Sequence, residues 1–201
     1  ITLMPAIDFL MTQAGIGPKD LDRIAVAMGP GSYTGLRIAV TTAKTLASTL
    51  NIDLVGVSSL LAIAANIEVA GKVVPLIDAR RQNVYAGVYE QNNSVIKDSH
   101  TSLEALLKLL ADEEQLYFTG EITPFREMIL QLLPQAKFVE NQEHRMPNAY
   151  QIACIGLHYD PVNIEMFGPE YLKKVEAEER WLESHVDDKD KGTNSDYIQK
   201  I

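Results

Sequence analysis

"RIAVAMGPGSYTGLRIAVTTAKTLASTLNIDLVGV", residues 23–57, decides the fold. Its two ends, RIAVAM (23–28) and DLVGV (53–57), are short apolar runs of the length expected for buried strands. Between them, residues 35–50 place Leu36, Ala39, Val40, Ala43, Leu46, Ala47 and Leu50 on one side of a helix. The other side carries Arg37, Thr41, Lys44, Thr45 and Ser48, and it is polar so weakly that part of it is expected to be covered too. Strand, helix and strand in this order make a βαβ unit with parallel strands and a right-handed crossover. The joint is the loop from Gly29 to Gly35, which brings backbone rather than side chains to a helix start.

Working outward, Leu3, Met4, Ile7, Leu10, Met11 and Ala14 share one stripe of a helix over 1–14, and Gly15 supplies its stop. No run that reads as the opening strands of an α/β domain precedes this helix, so the first lobe is expected to lack them. Downstream, Ser58 or Ser59 caps an alanine-rich helix. VVPLIDA (73–79) and VYAGVYE (84–90) form an antiparallel hairpin around Arg80–Asn83. Alternation then resumes: helix 103–111, strand 116–119, helix 122–132, strand 137–139, helix 148–158. The expected organisation is an α/β fold in two lobes, 1–67 and 68–168. A charged helix, 169–185, packs back on the first lobe with Trp181 as its anchor, and 186–201 is a polar, mobile tail.

Composition narrows the function. The chain has 201 residues, 46% hydrophobic and 22% charged, enough to bury a sizeable core. No apolar run reaches the ~18–20 residues of a membrane span, and no secretory signal is read at the start. The one cysteine, Cys154, excludes an internal disulfide and fits a reducing cytoplasm, the expected location. The net charge of −9 argues against a subunit that grips a nucleic-acid backbone by itself.

Gly29, Pro30, Gly31, Ser32, Thr34 and Gly35 sit where helix N–H groups attract anions, yet their spacing fits no enzyme signature. No Lys-Ser/Thr pair follows Gly35, as a P-loop requires. Thr34 stands where a dinucleotide fingerprint needs its third glycine, and Asp53, at the distance of a ribose ligand, opens its strand. Ser32 lacks the flanking glycines of a nucleophile elbow. A tight turn with Ser32 or Thr34 as N-cap and an anion cradle both stay open. His100, His144, His158 and His185 are scattered with no pair at i+3 or i+4, and Cys154 lies in an apolar helix as a structural thiol. Asp78, Arg80 and Arg81 read as a solvated turn, or else as a ligand contact. Glu176, Glu178 and Glu179 beside Lys173 and Lys174 read as an exposed charged face.

AMGPGSYTGLRIAVTTAKTLA (27–47) resembles the signature segment of the TsaB, or YeaZ, family of bacterial tRNA threonylcarbamoyladenosine synthesis. LMP (3–5), GVSSL (56–60), IDARRQNVY (77–85) and PEYLKKVEAE (169–178) agree in order. The resemblance implies the two-lobed ASKHA fold of actin, sugar kinases and Hsp70. It also implies a non-catalytic scaffold that activates a paralogue, TsaD, which transfers threonylcarbamoyl from threonylcarbamoyl-AMP to N6 of adenosine in ANN-decoding tRNAs. ATP and metal then belong to partner subunits, TsaD and the small ATPase TsaE; this chain holds no cofactor and meets tRNA only through the complex. Carried over, the partner-facing surface, used also in homodimers, takes in Leu3, Met4, Ile7 and Leu10, with Tyr33, Leu36, Arg37, Val40 and Thr41. The loop of Gly29, Pro30, Gly31, Ser32, Thr34 and Gly35 would bring Tyr33 against that partner. The family's opening strand meander, with its Asp-Thr-rich turn, has no counterpart in this sequence. The competing expectation is a stand-alone ASKHA-type nucleotide-binding enzyme, on the strength of the glycine loop.

Overall fold

A computed structural model of the chain describes residues 3–173. Helix α1, Leu3–Ala14, comes first. Strand β1, Arg23–Gly29, helix α2, Tyr33–Leu50, and strand β2, Asp53–Ser58, then form the expected βαβ unit. β1 and β2 pair in parallel from Arg23 opposite Asp53 to Ala27 opposite Val57. Ser32, not Thr34, caps α2: its Oγ accepts the Gly35 N–H at 3.4 Å. Asn51 ends the helix in a left-handed conformation. Val40, Ala43 and Ala47 of α2 pack with Val26, Leu54 and Phe167 in the core of this first sheet.

The second sheet runs in the order β5-β4-β3-β6-β7. β3 (Lys72–Asp78), β4 (Asn83–Glu90) and β5 (Asn93–Ser102) make an antiparallel meander. β6 (Leu116–Gly120) and β7 (Lys137–Phe138) continue in parallel from β3. Helices α4 (Leu103–Leu109) and α5 (Arg126–Leu132) bury Leu103, Leu107 and Ile129 against Leu76, Val84 and Phe118. The run 122–132, read as one helix, opens as a 3-10 turn, Thr123–Phe125, before α5 begins. β5 had no place in the sequence reading. Its side chains are mostly exposed, so the hydrophobic alternation that betrays a strand is missing, and backbone pairing to β4 holds it.

Helix α3, Ser59–Ala64, is buried at all six residues and touches strands of both sheets. Ser58 starts it. The Ser58 hydroxyl accepts the N–H groups of Leu60 at 3.1 Å and Leu61 at 3.2 Å while donating to Asp98 of β5. The Tyr89 hydroxyl donates to the other oxygen of Asp98. Burial first, and then the Asp98 charge, push the Tyr89 hydroxyl far above its ordinary range, so it stays a donor. Gly87 makes room for the carboxylate: a Cβ there would run into Asp98 Oδ1. Ser58→Ala removes a helix cap and orphans one carboxylate bond, and is expected to cost about 1–2 kcal/mol in urea unfolding.

Helix α6, Ala149–Gly156, returns to pack on β1 and β2. Residues 161–170 follow as a strap along the same sheet. Val162 N–H donates to Leu54 O at 2.9 Å and Glu170 N–H to Met28 O at 2.8 Å. The Lys44 ammonium donates to the carbonyls of Glu165 (3.1 Å) and Phe167 (2.6 Å). Residues 169–173 are not helical, which corrects the expectation of a helix from Pro169: the Glu170 backbone is spent on Met28 instead. The rest of that helix, including Trp181, and the 186–201 tail lie outside the described residues.

Candidate functional site

The glycine loop turns β1 into α2 under close constraint. Gly29 has φ +128°, and a Cβ on it would lie 2.5 Å from the carbonyl oxygen of Glu170, so the strap sits where only glycine fits. Beyond the loop, Tyr33 stacks on Tyr171 of the strap with ring centroids 5.0 Å apart. Arg37 reaches back one turn: its guanidinium donates to the Tyr33 hydroxyl at 3.1 Å and lies 5.5 Å from the ring centre.

Of the residues assigned to a partner surface, Tyr33, Arg37 and Thr41 face outward on α2, joined by the exposed Ile38. Leu36 and Val40 do not. Val40 is 2% exposed within the core of the first sheet and Leu36 is buried beside it, so neither side chain is available to a partner. A helix whose second face is nearly as apolar as its first does not declare which one meets the sheet. On α1, Leu3, Met4 and Leu10 are exposed and Ile7 is half-buried. Phe9, 62% exposed, joins them, although it lies off the stripe that the spacing picks out. No residue of α1 is buried.

The turn between β3 and β4 faces the glycine loop across a cleft of about 850 Å³. Arg80 N–H donates to Asp78 Oδ1 at 2.7 Å, and Asp78 N–H donates to Glu121 Oε2 at 2.7 Å. Glu121 escaped the sequence reading because it sits after β6, far along the chain. Arg80 and Arg81 line the cleft with Tyr85 and His100, whose rings lie 5.4 Å apart, and burial raises the Tyr85 hydroxyl above its usual range. The turn is therefore one wall of a concave surface. A smaller cavity of about 350 Å³ lies against the loop too, between Leu36, Ala39, Ile63 and Ile77.

The remaining candidates stand apart. Asp53 opens β2 and pairs with Arg23 at 2.9 Å. Cys154 is a half-buried free thiol on α6. His144 and His158 lie away from the cleft lining, and His185 and the glutamates 176, 178 and 179 are outside the described residues. Among the described residues no group of three or more His, Cys, Asp and Glu is placed to hold a metal ion, and no helix is long and apolar enough to cross a membrane.

Comparison with known proteins adds a lineage. The family model described as "TsaD: tRNA N6-adenosine threonylcarbamoyltransferase" matches residues 1–181. The "tRNA threonylcarbamoyladenosine biosynthesis protein TsaB" of Bacillus subtilis (strain 168) is 37% identical over 191 residues, covering 92% of this chain and 83% of the relative. A "tRNA N6-adenosine threonylcarbamoyltransferase" of Nitratidesulfovibrio vulgaris (strain DP4) is 46% identical over 66 residues, which is 32% of this chain but 18% of that one. A crystal structure of "an uncharacterized protein with similarity to peptidase YEAZ from Pseudomonas aeruginosa" superposes with a TM-score of 0.71 at 26% identity, covering 86% of this chain and 83% of that one.

Proposed function

The chain belongs to the TsaB (YeaZ) family, within the wider TsaD transferase family and with its ASKHA-like α/β fold, and from that premise we propose that it serves tRNA threonylcarbamoyladenosine biosynthesis as a non-catalytic subunit. Its partner is a TsaD transferase in the cytoplasm, TsaE docks on the pair, and the chain pairs with itself when alone. The observation that carries this reading is α1. Leu3, Met4, Phe9 and Leu10 are 38%, 47%, 62% and 64% exposed on a helix that buries nothing in its own chain. An apolar helix left bare is the mark of a surface meant for another protein. The match to a TsaD model fits a paralogous partner, for which homologous helices can pack about a near-twofold axis.

The test is an omission assay: full-length protein, TsaD, TsaE, threonylcarbamoyl-adenylate and unmodified tRNA, with each component left out in turn. Modified adenosine is expected to vanish without this chain and to be absent with this chain alone. Activity that survives its omission would refute the subunit role.

The cleft beside the glycine loop supports the second reading, a stand-alone ASKHA-type nucleotide-binding enzyme. Calorimetry decides between them. Heat on adding ATP and Mg²⁺ to the isolated full-length chain favours the enzyme, and none favours the scaffold.

A further inference from the structure

Where the glycine loop faces the β3–β4 turn, an acidic chain becomes locally basic. The cleft is lined by Arg80, Arg81 and Lys173 against one carboxylate, Glu170, three positive charges to one negative, in a protein whose net charge is −9. The same walls hold Tyr33, Tyr85 and Tyr171, three of the chain's eight tyrosines. Tyr33 and Tyr171 stack on each other yet keep 54% and 45% of their surface exposed, so ring area remains for a ligand. The turn is also held against its preference. Arg80, Arg81 and Gln82 have φ of +71°, +52° and +60°, a left-handed region that residues with a Cβ enter at a cost. Three such residues in succession make a strained turn of the kind that clusters at binding sites.

Guanidinium groups beside open tyrosine rings are the means by which proteins hold unpaired nucleotides, arginine on the phosphodiester and the ring on the base. The cleft volume lies within the range of small-ligand sites. We propose that this cleft receives an unpaired nucleotide of the tRNA, with its phosphates on Arg80 and Arg81 and its base against Tyr171 and Tyr85. The proposal rests on the reading of the chain as a subunit of a tRNA-modifying complex. It also reconciles the acidic total with an RNA contact: the partner holds the tRNA, and the local basic wall then acts at high effective concentration.

The test uses the assembled complex of the full chain with TsaD and an unmodified tRNA transcript, titrated by fluorescence anisotropy across a salt series. Arg80→Ala with Arg81→Ala is expected to weaken tRNA binding roughly tenfold or more. It should also reduce the slope of log K against log salt by about one to two. Tyr171→Leu should cost roughly fivefold or more through lost stacking, and Tyr171→Phe should restore it. Assembly with the partner, followed by size-exclusion chromatography, should be unchanged in every variant, because none of the altered residues lies on α1 or α2. Unchanged affinity and salt slope in a complex that forms would overturn the cleft assignment alone. Failure of the wild-type chain to form the complex would bring down the subunit reading and this proposal with it. AMP titrated into the isolated chain by calorimetry separates the remaining source. Binding lost in the double arginine variant, with tRNA affinity intact, would make the cleft a free-nucleotide site and overturn the proposal.

Discussion

Val40→Glu is expected to unfold the chain, not to release a partner from it. The Val40 side chain is 2% exposed among Val26, Ala43, Ala47, Leu54 and Phe167, none of which offers a charge or a hydrogen bond. A carboxylate left uncompensated there costs about 3–5 kcal/mol. Whole domains have only about 5–15 kcal/mol of stability to lose. Melting followed by far-ultraviolet circular dichroism should show a midpoint lower by roughly 10 °C or more, given the few degrees per kcal/mol typical of this size. A variant that melts like the wild type would mean that α2 packs with the opposite face inward.

Leu10→Glu is the converse change. Leu10 is 64% exposed on α1, so the isolated chain should melt within about a degree of the wild type, as surface substitutions usually do. In the complex the same carboxylate would be buried against an apolar partner face in place of an anchor residue. Association with TsaD should weaken by roughly a hundredfold or more, the loss of a central hot spot. Analytical ultracentrifugation of the mixed proteins reads this directly, and undiminished pairing would remove α1 from the interface. Together the two substitutions separate stability from recognition, which no change at a half-buried residue could do.

The sequence carries the βαβ unit openly, because apolar strands, a glycine loop and a periodic helix leave one arrangement. The β3–β4 hairpin was legible for the same reason, and Ser58 as a cap followed from local hydrogen bonding. Three features were not legible. β5 shows no apolar alternation because it borrows its order from β4. The inward turn of Leu36 and Val40 depends on how α2 rolls against its sheet, which a helix with two weakly polar faces does not announce. The stack of Tyr33 on Tyr171 and the cleft that it borders join segments from opposite ends of the chain, and no local pattern encodes such a meeting. Where site geometry comes from long-range return of the chain, as with the strap over Gly29, residue types show the materials but not their arrangement.

Helix α3 has one more consequence. All six of its residues are buried, and it borders strands of both sheets, so neither sheet owns it. Severing the backbone in the connection between α3 and β3 would leave α3 on the amino-terminal fragment and half of its neighbours on the other. Each piece would expose a greasy wall, and neither would be a self-sufficient unit. The two halves therefore cannot be traded between proteins like interchangeable parts, since the shared helix ties their evolution to one another.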